Sequence, residues 1–259
     1  MPVSGELAVR ALAVIPARWG STRFPGKPLA TLAGRPLIQH VVEAAVRSSA
    51  FERVVVATDD ERIAEAVARF GGDVERTSAA HRSGTDRVAE LAARLPAGSP
   101  DVVVNVQGDE PLVDPESLRA LVNAFGDVEV AMATLVRPLK DAGERRSPHV
   151  VKVVTDARGD ALYFSRADIP YQRDGARGAG LAHVGLYGYR RPTLLRLAQL
   201  PPGTLEQAES LEQLRALEHG IRIRCVRTEH RSFGVDTPED LARAEATLRK
   251  GGGSSPPSL

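Results

Sequence analysis

Residues Ala11–Leu29 read ALAVIPARWGSTRFPGKPL: five apolar residues, then a loop that carries Arg18, Arg23 and Lys27 among glycines and prolines and contains no acid. A run that is apolar without alternation fits a strand covered on both faces, the habit of parallel strands in an α/β sheet. Two more short, Val-rich runs follow at Arg53 to Thr58 and Asp101 to Val106. Between the runs, apolar spacing predicts amphipathic helices over Pro36 to Ser48, Asp60 to Phe70 and Thr85 to Leu95, the last with Ser83 as cap. This βαβα order predicts a doubly wound sheet whose ligand crevice lies beyond the carboxyl ends of the strands. The cationic loop sits at such an end.

After a strand expected over Val130 to Val136 the rhythm changes. VVKVVTDARGDALYFSR reads as two strands joined by the turn DARGD, and HVGLYGYR as a third, so a mixed subdomain begins near here. GTLEQAESLEQLRALEHG predicts one helix with a capping box from Thr204 to Gln207, closed by Gly220. IRIRCVRT returns as a strand, and TPEDLARAEATLRK closes the chain as a helix with Thr237 as cap and Pro238 at its first position. The tail GGGSSPPSL after Lys250 has no apolar anchor and is expected to be disordered.

Composition narrows the function classes. The chain has 259 residues, 42% hydrophobic and 26% charged, enough for one large core or two packed parts. Its 34 basic residues against 33 acidic ones leave a net charge of +1, so no general field draws nucleic acid or an anionic membrane. The loop's cations are therefore a local device. Arg10, Pro16 and Arg18 interrupt the first apolar run, so neither a signal peptide nor a membrane span fits, and the expected location is the cytoplasm. The single Cys225, within IRIRCVRT, reads as a small buried strand residue.

A P-loop reading of the opening loop fails. Gly20 and Gly26 enclose five residues instead of four, and Pro28 stands where a Ser or Thr would bind magnesium. What remains is a strand end with peptide N–H donors and Arg and Lys side chains, which together suit a triphosphate. In VVVNVQGDEPLVDPESL, Asp109 follows a buried strand, whereas the next helix has Asp114 and Pro115 as its own start, so Asp109 is not needed as a cap. In FGVDTPEDL, Thr237 caps and Asp236 precedes it. Two carboxylates at two element ends can share a Mg²⁺ with phosphate oxygens. Taken singly, each Asp reads equally as a turn or helix-dipole residue.

PARWGSTRFPGKPL, HRSGTDR, NVQGDEP, ALYFSRADIP, HVGLYGYR, LEQLR and GVDTPEDL resemble, in order and spacing, the motif series of the 3-deoxy-manno-octulosonate cytidylyltransferases, and the resemblance runs from about Leu12 to Leu248. It implies a Rossmann-like nucleotidyltransferase fold, a doubly wound mixed sheet with a small dimerisation subdomain. The implied layout is one domain over 8–250, with a nucleotide-binding part at about 8–136 plus 221–250 and a sugar-acid and dimerisation part at about 137–220. The implied reaction joins CTP and 3-deoxy-manno-octulosonate (Kdo) into CMP-Kdo and diphosphate for lipopolysaccharide biosynthesis, in a cytoplasmic homodimer that needs Mg²⁺.

Carried onto this sequence, the resemblance makes Arg18, Lys27, Asp109 and Asp236 catalytic and gives the metal to Asp109 and Asp236. Arg18, Ser21, Arg23, Lys27, Arg82, Ser83, Gly84 and Gln107 become CTP contacts, with HRSGTDR beside the cytosine. Gln107, Arg166, His183, Tyr187, Glu212 and Gln213 become the sugar-acid pocket, in which Arg166 can pair the Kdo carboxylate through two parallel hydrogen bonds. Read singly, Tyr187 fits a core position, His183 a satisfied strand residue and Glu212 a surface helix charge. The link ADIPYQRDGARGAGLA between Arg166 and His183 is Gly-rich and short for the family, which leaves an amino variant of Kdo or a sialic-type acid as alternative acceptors. A nucleotide-sugar-dependent glycosyltransferase would carry a DxD-type motif where this chain has DEP. A regulator without turnover would show a broken constellation, yet both acids and Lys27 are present.

Overall fold

The computed structural model describes residues 9–20, 23–81, 83–173, 180–231 and 233–251, which leaves Ser21, Arg82 and the residues after 251 outside the description. Two compact units emerge. One comprises the described residues of Leu12–Arg94, Asn105–Pro115 and Ser232–Leu259; the other comprises those of Met1–Ala11, Leu95–Val104 and Glu116–Arg231.

The first unit holds β1 (Ala11–Ala17), the short antiparallel pair β2 (Thr31–Leu32) and β3 (Arg35–Pro36), α1 (Leu37–Arg47), β4 (Arg53–Thr58), α2 (Glu61–Arg69), β5 (Asp73–Arg76) and α3 (Gly84–Arg94). β1 runs parallel to β4, with Leu12 opposite Arg53 and Ala17 opposite Thr58, and β4 runs parallel to β5. Val14, Ile15, Val55, Val56 and Ala57 are completely buried, which is why these runs lack alternation. Each such Val or Ile contributes about 1.5–3 kcal/mol by leaving water. Side chains start two of these helices, α2 and α3: the Asp60 carboxylate accepts the Arg62 N–H at 3.0 Å, and Ser83 Oγ accepts the Asp86 N–H at 3.1 Å.

In the second unit come β6 (Val102–Asn105), α4 (Pro115–Asn123), β7 (Met132–Pro138), α5 (Ala142–Arg146), β8 (Lys152–Thr155), β9 (Ala161–Ser165), β10 (Leu181–Arg190), α6 (Arg191–Gln199), α7 (Thr204–Glu209), α8 (Gln213–Glu218) and β11 (Ile223–Arg227). β11, β7, β10 and β6 lie in that order, with β11 parallel and β10 antiparallel to β7. The DARGD turn joins β8 and β9 as expected, with Gly159 at φ 85° and the Asp156 carboxylate accepting from Arg158 and Asp160 N–H. Cys225 is buried in β11, and burial pushes its thiol up to about 12, as befits a packing residue. The last helix, α9 (Pro238–Gly251), returns to the first unit.

One expected helix is two. The segment from Thr204 to Glu218 breaks at Ser210, which sits at φ 52°, and α7 is capped at Gly203, whose N–H reaches Glu206 Oε2 at 3.1 Å, instead of at Thr204. The cause is tertiary: Glu209 turns away to accept from Ser165 Oγ at 2.6 Å and from the Arg166 N–H at 2.9 Å. The close at Gly220 is as read, at φ 73° with Ile221 N–H on Ala216 O at 2.8 Å.

Candidate active site

The loop after β1 is pinched at its base, where the Gly26 N–H donates to Trp19 O at 3.0 Å. Gly26 has φ 72°, and a Cβ there would lie 2.9 Å from the Trp19 indole, so the position needs glycine on both counts. The chain then enters a 3₁₀ turn, Lys27–Leu29, that carries Lys27 inward until it is 9% exposed.

Two acids meet that lysine. Its Nζ donates to Asp109 Oδ2 at 2.6 Å and to Asp236 Oδ1 at 3.0 Å, and Arg23 Nη2 donates to Asp236 Oδ2 at 2.9 Å. Asp109 is brought here by Gly108: a Cβ at that position would fall 2.6 Å from Pro16 O, so only glycine lets the NVQGDEP loop lie against the end of β1. Val235 N–H donates to Asp109 O at 2.8 Å and ties the second acid's loop to the first. Asp236 itself is set by Asp240, whose Oδ2 accepts from the N–H groups of Asp236 and Thr237, both at 3.0 Å. Burial pushes the Asp240 carboxyl up, but these donors, the Thr237 hydroxyl and Arg243 outweigh it and hold the group below the usual carboxylate range.

All of this borders a cavity of about 370 Å³ in the first unit, into which Arg18, Arg23, Lys27, Ser83, Gly84, Gln107, Asp109 and Asp236 converge. Every nucleotide and metal residue expected from the sequence is therefore gathered here, apart from Ser21 and Arg82, which lie outside the described residues. The sequence reading passed over two members. His81 lines the cavity and pairs with Glu90, and Arg87, 4% exposed, lines it while held by Asp59 at 3.0 Å and by Thr77. Asp59 follows β4 as Asp109 follows β6, but no local pattern joins it to Arg87. Arg18, Arg23, Lys27 and Arg87 against Asp109 and Asp236 leave the lining cationic, as a polyanionic ligand requires. Two carboxylates aimed at one ammonium also offer hard oxygen donors of the kind Mg²⁺ takes in ones or twos, its shell completed by phosphate and water. Among the described residues no group of three or more His, Cys, Asp or Glu could hold a metal by itself.

The expected sugar-acid residues belong, Gln107 apart, to the second unit. His183 and Tyr187 are four apart on β10, a span of about 13 Å in a regular strand. Their ring centroids are nonetheless 5.3 Å apart, because β10 bulges between Val184 and Tyr187. Buried Thr134 fills the bulge: its hydroxyl donates to Leu186 O at 2.8 Å, so at 3.0 Å His183 must donate to it through Nε2. Phe164 meets the His183 ring edge-on. Tyr187 is pushed well up by burial, with the Tyr189 hydroxyl and the Glu212 carboxylate adding to it, so this tyrosine is a neutral hydroxyl. Gln213 is buried, and its Nε2 has no hydrogen-bond partner among the described residues, an orphan donor of the kind a ligand oxygen satisfies. Arg166 anchors at the same turn: three of its five N–H donors go to Glu209 O, Pro148 O and Ser210 O. Fully buried Lys152, which no motif marks, donates to Ser147 O, Val150 O and Arg166 O and fixes the segment from below.

Burial brings His183 down to about 3, so it is neutral throughout the physiological range. In the unfolded chain the ring takes up a proton below its ordinary 6.5, whereas in the folded protein it refuses one until about 3. Its contribution is thus intact above 6.5 and lost as pH falls across that interval, by up to about 1.4 kcal/mol per pH unit. His183→Gln should flatten the acid limb of a stability-against-pH curve from urea titrations; an unchanged limb would contradict the neutral ring.

A cationic loop at the end of β1 facing two acids, Asp109 after β6 and Asp236 just before α9, is the arrangement of a nucleotidyltransferase. A family model described as "Cytidylyltransferase" matches residues 12–223. The chain is 56% identical over 245 residues to a 3-deoxy-manno-octulosonate cytidylyltransferase of Myxococcus xanthus (strain DK1622), covering 94% of this chain and 98% of that protein. It is 57% identical over 244 residues to one of Anaeromyxobacter sp. (strain Fw109-5), covering 93% and 98%. A solved CMP:2-keto-3-deoxy-manno-octonic acid synthetase in complex with CTP superposes with a TM-score of 0.89 at 44% identity, covering 93% of this chain and 99% of that one. The chain belongs to the 3-deoxy-manno-octulosonate cytidylyltransferase family.

Proposed function

We propose that this protein transfers the cytidylyl group of CTP to Kdo, giving CMP-Kdo and diphosphate, and that it supplies CMP-Kdo to lipopolysaccharide biosynthesis. The observation that carries the reading is the Lys27 ammonium set between Asp109 and Asp236 in a cavity that Arg18 and Arg23 also enter. The cations take the triphosphate, with Lys27 and Arg18 facing the β- and γ-phosphates and Ser83 and Gly84 beside the cytosine. Asp109 and Asp236 would hold Mg²⁺, which when bound would shield phosphate charge and acidify an oxygen beside it. The anomeric hydroxyl of the sugar attacks the α-phosphorus in line and loses its proton to water, and the bond to the β-phosphate oxygen breaks as diphosphate leaves. Most of the rate comes from positioning and from charge placed in advance where the leaving diphosphate develops its own.

On the acceptor side Arg166, His183, Tyr187, Glu212 and Gln213 of the second unit are assigned to Kdo. The two remaining N–H donors of Arg166, one on each terminal nitrogen, match a carboxylate, and the orphan amide of Gln213 suits a sugar oxygen. We also assign a homodimer, the state the resemblance implies. Among the described residues no helix is long and apolar enough to cross a membrane, and we assign the enzyme to the cytoplasm. Incubation with CTP, Mg²⁺ and a panel of acidic sugars tests the acceptor: diphosphate release is expected with Kdo, and release with a sialic-type acid but not with Kdo would overturn the assignment.

A further inference from the structure

The loop that presents Arg18, Arg23 and Lys27 leans on a contact that plays no part in the chemistry described above. The Arg62 guanidinium lies 3.4 Å from the centre of the Trp19 ring. It is held there by Asp60, which accepts Arg62 Nε at 3.0 Å and Nη2 at 2.6 Å while its Oδ1 also caps α2. The guanidinium is thus fixed to the start of a helix, and among the aromatic side chains an indole face attracts a cation most strongly. On the loop side the Trp19 indole fills the space where a Cβ on Gly26 would go, and Trp19 O takes the Gly26 N–H. Lys27 is the next residue.

We propose that Asp60, Arg62 and Trp19 form a latch that sets the position of Lys27 for cytidylyl transfer, so that Trp19 and Arg62 are positioning residues acting through Gly26. The chain of contacts is unbroken: α2 fixes Asp60 and Arg62, Arg62 fixes the indole, the indole fixes Gly26, and Gly26 opens the 3₁₀ turn that carries the ammonium to Asp109 and Asp236. Displacement of a catalytic group by about an ångström can cost as much as a hundredfold in rate, which gives so modest a contact a kinetic consequence. The role in turnover rests on the CTP reading of the cavity, whereas the latch itself does not.

Trp19 is the sole tryptophan, so its emission reports the stack directly. Arg62→Gln removes the cation at a side chain that is 56% exposed and leaves the fold in place. It should shift the Trp19 emission and lower kcat by roughly tenfold, with the KM for Kdo within about twofold of wild type. Trp19→Phe, which keeps a ring, should stay close to wild type in kcat, whereas Trp19→Ala should lose as much as Arg62→Gln. The double variant should be no worse than Trp19→Ala alone, because both break one connection. A shifted emission with unchanged kcat in Arg62→Gln would overturn the latch, and so would losses that multiply in the double variant. Were the wild type inactive with CTP and every acidic sugar, the functional reading would fall by itself. CTP titrations followed by Trp19 emission would then decide the latch, with unaltered CTP affinity in Arg62→Gln counting against it.

Discussion

Asp109→Asn or Asp236→Asn is expected to lower turnover by roughly a hundredfold or more, about 2.7 kcal/mol of barrier. Asparagine keeps the shape of each side chain and removes the charge. Both carboxylates address one place, since Lys27 bonds to both and Arg23 to one, so a bound Mg²⁺ would lose half its protein charge with either change. The fold should survive: Asp236 is 41% exposed and Asp109 33%, and the backbone bond from Val235 to Asp109 O does not involve the carboxylates. A double variant no slower than the slower single is expected if they serve one ion, because sites that act as a unit do not add. Near-normal turnover of Asp236→Asn at saturating magnesium would refute the shared site.

The second large effect belongs to Lys27. Lys27→Met keeps most of the buried stem and removes the ammonium, whose charged hydrogen bonds are worth about 1.5–3 kcal/mol each where desolvated. If that charge serves the β- and γ-phosphates, calorimetry should show CTP weakened by roughly tenfold to a hundredfold, and CMP, which lacks them, hardly affected. Equal weakening of CTP and CMP would place Lys27 at the α-phosphate or the base. Unaltered binding of both would confine it to holding the two acids together.

Much of this site was legible because its signals are local. ALAVI, the run from Arg53 to Thr58 and the run from Asp101 to Val106 read as parallel strands since both their faces are buried, and a ligand crevice follows from strand ends. Asp109 stood out because Asp114 and Pro115 leave it without a capping duty, and Asp236 because Thr237 caps α9, as its bond to the Asp240 N–H bears out. What stayed hidden depends on contacts across the chain. Nothing near Trp19 announces that Arg62, 43 positions on, will stack against it. The meeting of His183 with Tyr187 needs a bulge filled by Thr134, a residue of a different strand. The helix break at Ser210 follows from Glu209 choosing Ser165 and Arg166, while the local pattern reads as helix straight through. Arg87 lay inside a quoted motif, yet its importance rests on Asp59 at the end of another strand.

The fate of the α-phosphorus separates transfer to a sugar acid from hydrolysis of CTP. With CTP labelled at that atom, Kdo and magnesium, label should appear in CMP-Kdo in step with unlabelled diphosphate, and neither should form when Kdo is left out. Label recovered only as free CMP, or diphosphate released at the same rate without any sugar, would contradict a transfer in which this cavity hands the cytidylyl group to a sugar acid.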